Sequence, residues 1–156
     1  MEELKFIKNL QIRTAGPLLI LNAPADYLTK IRSLPHAIHT EPQDTSYGFI
    51  QAFATRLDEV ERYSQVAVAL LADDGGLWIS YPKGTSKRYQ CEFNRDSGWA
   101  SLGQHNFEPV RQISIDEDWT ALRFRPVDKI RTLTRRGAIS PKAQARIDER
   151  NKKQES

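Results

Sequence analysis

The sequence predicts an α/β fold: a small, mostly parallel sheet of about five strands, closed by an antiparallel hairpin and followed by a basic helical C-terminal tail. Three observations carry this expectation. The run Leu18-Leu19-Ile20-Leu21 is apolar at every position, as a strand covered by helices on both faces must be. Tyr47 to Phe53 and Leu77 to Tyr81 read as strands flanking the clearest helical stretch of the chain, and strand, crossover helix, strand is the grammar of a parallel sheet. Val110 to Ile115 and Trp119 to Arg125 are separated only by Asp116-Glu117-Asp118, too short for a crossover and suited to an antiparallel turn.

In chain order, Gly16-Pro17 ends a polar lead-in and Asn22-Ala23-Pro24 closes the first strand. Asp26 is placed to cap a short helix from Tyr27 to Ser33, with Leu28 and Ile31 three apart on one face. Leu34 to Ser46, with Pro35 and Pro42, reads as loop. After the second strand, Leu57, Val60, Tyr63, Val66 and Leu70 recur at helical spacing, and Asp73-Asp74-Gly75-Gly76 reads as the helix stop. Beyond the hairpin, Asp128 caps a helix through Ile130 and Leu133 that Gly137 ends. Ser140-Pro141 starts a last helix with only Ala143 and Ile147 as an apolar face, so its tip is expected to be loosely held. The division expected is one domain over 1–137 and a tail over 138–156.

A chain of 156 residues supports one domain with a real core, and 39% hydrophobic content fits a globular protein rather than a disordered one. No apolar run approaches the roughly 20 residues of a membrane span, and the first nine residues lack the pattern of a secretory leader, so the expected compartment is the cytoplasm, without membrane attachment. Cys91 is the single cysteine, which excludes an intramolecular disulfide. Arg88 and Arg95 nearby could favour its thiolate, but a strand-borne cysteine is more often a small buried hydrophobe. The charge of +3 conceals an asymmetry: residues 123–156 hold eleven Lys/Arg against four Asp/Glu, net +7, leaving −4 for the rest.

The order of these elements resembles the second half of a Rossmann-like methyltransferase, in which Tyr47-Gly48-Phe49-Ile50, a long helix, Gly76-Leu77-Trp78-Ile79-Ser80 and a hairpin follow one another. Leu18 to Leu21 corresponds to the methyltransferase first strand, and the usual second and third strands are expected to be missing. "LLILNAP", "GGLWISYPKGTSK" and "IDEDWTALRFRPV" further resemble a small family of bacterial single-domain proteins of unknown function. The methyltransferase resemblance implies a glycine-rich turn after the first strand and an acid after the second to hold adenosylmethionine. Here the first strand runs into Asn22-Ala23-Pro24-Ala25-Asp26, without glycine, so no cofactor is expected.

Ligands of open parallel sheets bind beyond the carboxyl ends of the strands, which nominates Asn22, Lys83, Thr85, Ser86, Lys87 and Arg95 as an anion or ligand face. Lys83-Gly84-Thr85-Ser86-Lys87 lacks the earlier glycine of a phosphate-binding loop, so a solvated polar loop is the competing reading. The tail supplies a separate candidate, a sequence-independent nucleic-acid contact through Arg131, Arg135, Arg136, Lys142 and Arg146, without interleaved aromatics for base stacking. His36 and His39, with His105 or Cys91, do not define metal-ligand spacing, and no metal is expected. Asp116 to Asp118 read as a polar turn, and Trp78, Trp99 and Trp119 as core aromatics. The expectation is therefore a non-enzymatic binding or interaction module whose partner is a protein or a small anionic ligand. An enzyme using loop 82–87 and a nucleic-acid binder using the tail are the alternatives.

Overall fold

A computed structural model describes residues 5–94, 97–130 and 140–155, with side chains through residue 150. The order is α1 (Lys5–Asn9), β1 (Leu18–Leu21), α2 (Ala25–Ile31), β2 (Ile38–His39), β3 (Tyr47–Phe53), α3 (Leu57–Leu70), β4 (Leu71–Pro82), α4 (Ala100–Gln104), β5 (Phe107–Ser114), β6 (Trp119–Pro126), a 3-10 turn (Val127–Lys129) and α5 (Pro141–Glu155). The strands form one mixed sheet in the order β2-β1-β3-β4-β6-β5. β2, β1, β3 and β4 run parallel, while β6 is antiparallel to both β4 and β5.

Alternation along the strands feeds two apolar layers. Leu18, Ile20, Phe49, Phe53, Trp78, Trp119 and Ala121 meet Phe6 and Leu10 near α1 and Tyr27 and Ile31 of α2 on one face. Leu19, Leu21, Ile50, Ala52, Leu77, Ile79, Leu122 and Phe124 meet Val60, Tyr63 and Ala67 of α3 and Trp99 and Leu102 at α4 on the other. β1 is buried at all four positions, as its unbroken apolar run required. All three tryptophans are core residues. A polar thread crosses the first layer: the Tyr27 hydroxyl donates to Gln51 Oε1, and Gln51 Nε2 donates to Ser80 Oγ at 2.9 Å. All three residues are buried, so each satisfies groups that the others would otherwise leave without partners.

Several expectations are corrected. The sheet has six strands, because the stretch expected to be loop holds β2, whose Ile38 and His39 pair with Leu18 and Leu19 in the position of the second strand. Helix α2 begins at Ala25 after Pro24, and Asp26 lies inside its first turn without capping it; the Leu28 N–H closes that turn on the Pro24 carbonyl. Gly75-Gly76 does not stop α3. The chain passes from Leu70 straight into the extended Leu71, which pairs with Tyr47, and the ladder resumes at Gly76 opposite Phe49. Residues 72–75 bulge out between them, with Asp74 at φ 54°. Gly75 is needed for close approach, since a Cβ there would stand 3.1 Å from the Ala72 carbonyl oxygen and 3.2 Å from that of Gly48.

At the other end of the sheet, β5 is an edge strand bearing Pro109 and a register shift between Pro109 and Arg111. The C-terminal helix is docked through its predicted apolar face: Ala143 and Ile147 are buried, Ser140 Oγ accepts the Ala143 N–H at 3.1 Å, and the Ser140 N–H donates to Glu108. The helix expected between Asp128 and Gly137 is a 3-10 turn as far as Lys129, and residues 131–139 lie outside those described. Among the described residues, no helix is long and apolar enough to cross a membrane.

Gly48 tests the packing of the lead-in on the sheet. A Cβ there would lie 2.7 Å from Thr14 Cβ, whereas one at Gly84 would meet nothing within 4 Å. Gly48→Ala should lower stability by about 1–3 kcal/mol in urea unfolding, the usual cost of overpacking, and Gly84→Ala should leave the midpoint nearly unchanged.

Candidate functional site

In this strand order the direction of chain progression reverses between β1 and β3, and their carboxyl ends define the crevice where open α/β sheets take ligands. Asn22 leaves β1 there at φ 60°, a conformation asparagine tolerates better than most residues. Its amide donates to the Phe53 carbonyl and to Glu59 Oε2, both at 2.9 Å. The other Glu59 oxygen accepts the Thr55 N–H at 3.0 Å, the Thr55 hydroxyl at 3.2 Å and the Arg56 N–H at 3.2 Å. Asn22 is thus committed to holding the ends of β1 and β3 to the start of α3, and its side chain occupies part of the crevice.

Beside this tie lies a cavity of ≈ 290 Å³ lined by Leu21, Asn22, Pro42, Arg62, Tyr63 and Val66. The Tyr63 hydroxyl is buried there without a hydrogen bond of ordinary geometry among the described residues. Burial raises its pKa, and Arg62 and Asn22 stand near enough to oppose that shift.

Lys83, Thr85 and Ser86 come together elsewhere, in an open cleft of ≈ 1110 Å³ beyond β4, walled also by Tyr89, Cys91, Glu92 and Gln112. The cleft excludes Asn22, and Lys87 is exposed outside its lining. Arg95 lies outside the described residues. The loop is pinned rather than free to wrap a phosphate. The Lys83 N–H donates to the Asp118 carbonyl at 2.8 Å and Lys83 Nζ to Ser114 Oγ at 2.7 Å. Ser86 Oγ donates to Asp118 Oδ1 at 2.8 Å while accepting the Arg88 and Tyr89 N–H groups. Asp118 also faces Arg88 at 3.5 Å, and Asp116 Oδ1 accepts the Asp118 and Trp119 N–H groups, a side-chain-closed turn.

Cys91 is half-buried on the cleft wall. Burial pushes its thiol pKa up, and Glu92 and Glu59 act in the same sense. The thiolate is therefore disfavoured, and Arg88, one of the two cations expected to favour it, is turned to Asp118. The histidines serve local bonds: His36 Nε2 donates to the Thr14 carbonyl at 2.7 Å and His39 Nδ1 pairs with the Tyr47 hydroxyl at 2.6 Å. Among the described residues no group of three His, Cys, Asp or Glu is placed to hold a metal.

In the tail, Lys142 Nζ pairs with Asp128, and Arg146 donates to the Val127 and Ile130 carbonyls at 2.9 and 3.1 Å. Arg131, Arg135 and Arg136 lie outside the described residues.

Two solved structures show a distant similarity to the chain. One is assigned to the type 11 methyltransferases, from Sulfolobus solfataricus, with a TM-score of 0.43 and 10% identity over 77% of this chain and 75% of that one. Another is a chain of a fibrillarin/Nop5p complex, with a TM-score of 0.41 and 14% identity over 70% of this chain and 61% of that one. No family model matches the sequence, and no curated protein matches it.

Sequence reasoning does not single out Glu59, Arg62 or Tyr63. The one available signal is Glu59 in the third helical position, where a carboxylate reaches back to the helix start.

Two outcomes check this geometry. Asn22→Ala should cost about 1–3 kcal/mol by leaving a buried carboxylate and carbonyl short of a donor, and Asn22→Gly, which keeps the backbone conformation, should cost less. Cys91 should be alkylated by iodoacetamide near neutral pH more slowly than an unhindered cysteine, with the rate still rising above the ordinary thiol range.

Proposed function

We propose that the chain is a non-enzymatic binding module on a reduced methyltransferase-like scaffold, and that it takes a small anionic ligand in the cleft beyond β4. The observation that carries this reading is the Asn22 tie, which fills the crevice between β1 and β3 with internal hydrogen bonds. A cofactor seated at that reversal point would have to displace a donor from a buried carboxylate, and breaking a hydrogen bond to a charged group costs about 1.5–3 kcal/mol. The absence of glycine after β1 supports the same reading, because backbone cannot approach a ligand closely there.

The cleft supports the binding half of the proposal. Its cation is Lys83, partly exposed and bonded to Ser114 at the ammonium, and Thr85 adds an exposed hydroxyl. Its nucleophile candidate is a thiol kept protonated by burial, which favours binding over covalent catalysis. The bacterial-family resemblance of "GGLWISYPKGTSK" falls on the strand and loop that build this cleft.

Calorimetric titration with adenosylmethionine should give no binding heat, and a thermal-shift panel of nucleotides, coenzyme A and sugar phosphates should contain a compound that raises the midpoint. At a hundred times its dissociation constant such a ligand adds about 2.7 kcal/mol, or several degrees for a domain of this size. Lys83→Ala should abolish that shift. Adenosylmethionine binding weakened by Tyr63→Phe or Arg62→Ala, rather than by Lys83→Ala, would return the enzyme reading and overturn this one.

A further inference from the structure

The amino ends of the parallel strands carry a feature that neither the cleft nor the tail accounts for. β6 places Arg123 and Arg125 on the same side of the sheet as Trp119 and Ala121, and β5 places Arg111 directly opposite Arg123. The register shift at Pro109 is what puts it there. Regular antiparallel pairing onward from Pro109 and Phe124 would set Val110 against Arg123 and carry Arg111 to the other face. Like charges directly opposite each other on neighbouring strands are destabilising, so a bulge that creates such a pair calls for a compensating partner.

The described residues supply little compensation. Burial lowers the Arg123 pKa, Arg125, Arg13 and Arg111 lower it further, and Asp74 opposes them. Asp74 is itself taken by Arg125, whose Nη2 reaches its two oxygens at 2.9 and 3.1 Å. Glu108 stands opposite Arg125 in the ladder, but its carboxylate accepts the Ser140 N–H. Arg123 Nη1 makes one long bond, 3.4 Å, to Gln11, and the Nε atoms of Arg123 and Arg125 are buried without a hydrogen-bond partner among the described residues. Buried donors without partners are rare enough that each needs an explanation, and here packing closes the Nε atoms off, so an acceptor from outside would meet the outer nitrogens of the guanidinium groups.

We propose that Arg13, Arg111 and Arg123, backed by Arg125, form a phosphate-binding face that takes the phosphodiester backbone of a nucleic acid without reading its sequence. Guanidinium forks match phosphate oxygens bidentately, and three arginines across two strands and an adjoining loop, without a salt bridge among the described residues, suit an extended polyanion. A protein partner is less well matched, because protein interfaces have an apolar centre whereas nucleic-acid interfaces are polar and positively charged. Of the exposed large hydrophobics among the described residues, Leu57 and Val68 belong to α3 on the other side of the sheet, and only Val110 adjoins the arginines in sequence. Alternation sends Arg111 to the other side of the sheet from its neighbour Gln112, a wall of the cleft, so the two surfaces are separate.

The test is fluorescence anisotropy of the full chain with labelled oligonucleotides, single-stranded and duplex, titrated at low salt and again as salt rises. Either form should bind, with affinity falling linearly on logarithmic axes. Arg111→Met with Arg123→Met should weaken binding by about an order of magnitude and, on a single strand, flatten the salt slope by about 0.7 for each phosphate no longer neutralised. Lys152→Ala with Lys153→Ala should change it little. Arg123→Met alone should hold or raise the melting temperature, since it removes a half-buried cation from among like charges. Arg111→Ala, at an exposed position, keeps the binding test independent of folding. The proposal fails if neither oligonucleotide binds at low salt, if the double methionine variant binds as well as the parent, if the tail variant accounts for the loss, or if polyglutamate competes as effectively as the oligonucleotide.

Discussion

Glu59 is the constraint around which this structure is arranged. A carboxylate almost withdrawn from water must have its lone pairs filled, and here the donors come from Thr55 and Arg56 on its own helix turn and from Asn22, 37 residues away. Hydrogen bonds to an ionised group contribute about 1.5–3 kcal/mol each, so the set outweighs any single apolar contact nearby. It fixes where α3 starts relative to the ends of β1 and β3, and therefore which rows of α3 meet the sheet. The same set decides the chemistry of that end, because the Asn22 amide is already spent on Glu59 and the Phe53 carbonyl.

The two ends of the sheet consequently differ in kind. Beyond the carboxyl ends, the loop after β4 and the β5–β6 turn lock each other through Asp118, Ser86 and Lys83, giving a rigid polar rim. At the amino ends, the sheet holds like charges side by side, with Asp74 shared between Arg123 and Arg125. The layers between them are continuous apolar packing crossed by the Tyr27-Gln51-Ser80 thread. A domain with continuous apolar layers can tolerate like charges at the margin of its sheet, and that is where this one concentrates them.

How much of this is legible in the sequence depends on whether the signal is local. β1 is readable because four consecutive apolar residues have few other uses, and the hairpin because a three-residue spacing leaves no room for a crossover. α1 and α4, at five residues each, are too short to show a helical period, and β2 is two half-buried residues that present no alternation at all. Gly75-Gly76 misleads because a glycine that ends a helix and one that lets two backbones touch look identical until the partner, here the Gly48 carbonyl, is known. Of the candidate site, Lys83, Thr85 and Ser86 share one wall because they share one loop. Asn22 stands out for its place at a strand end, yet its partner Glu59 can be named only from the fold. The arginine pair is invisible for a sharper reason: its register depends on a bulge, and shifting one strand by one residue exchanges the faces.

The junction between α3 and β4 has a consequence for how this chain can vary in length. Leu70 ends the helix and Leu71 is already paired in the sheet, so there is no linker to absorb an added or deleted residue. One residue inserted into α3 would turn every later helical position by about 100° and pull Leu71 out of register with Tyr47. The slack lies immediately downstream, in the four bulged residues between Leu71 and Gly76, where length can change without disturbing either the helix face or the ladder. Among related sequences, gains and losses in this region should therefore collect at 72–75, while α3 keeps its fourteen residues unbroken.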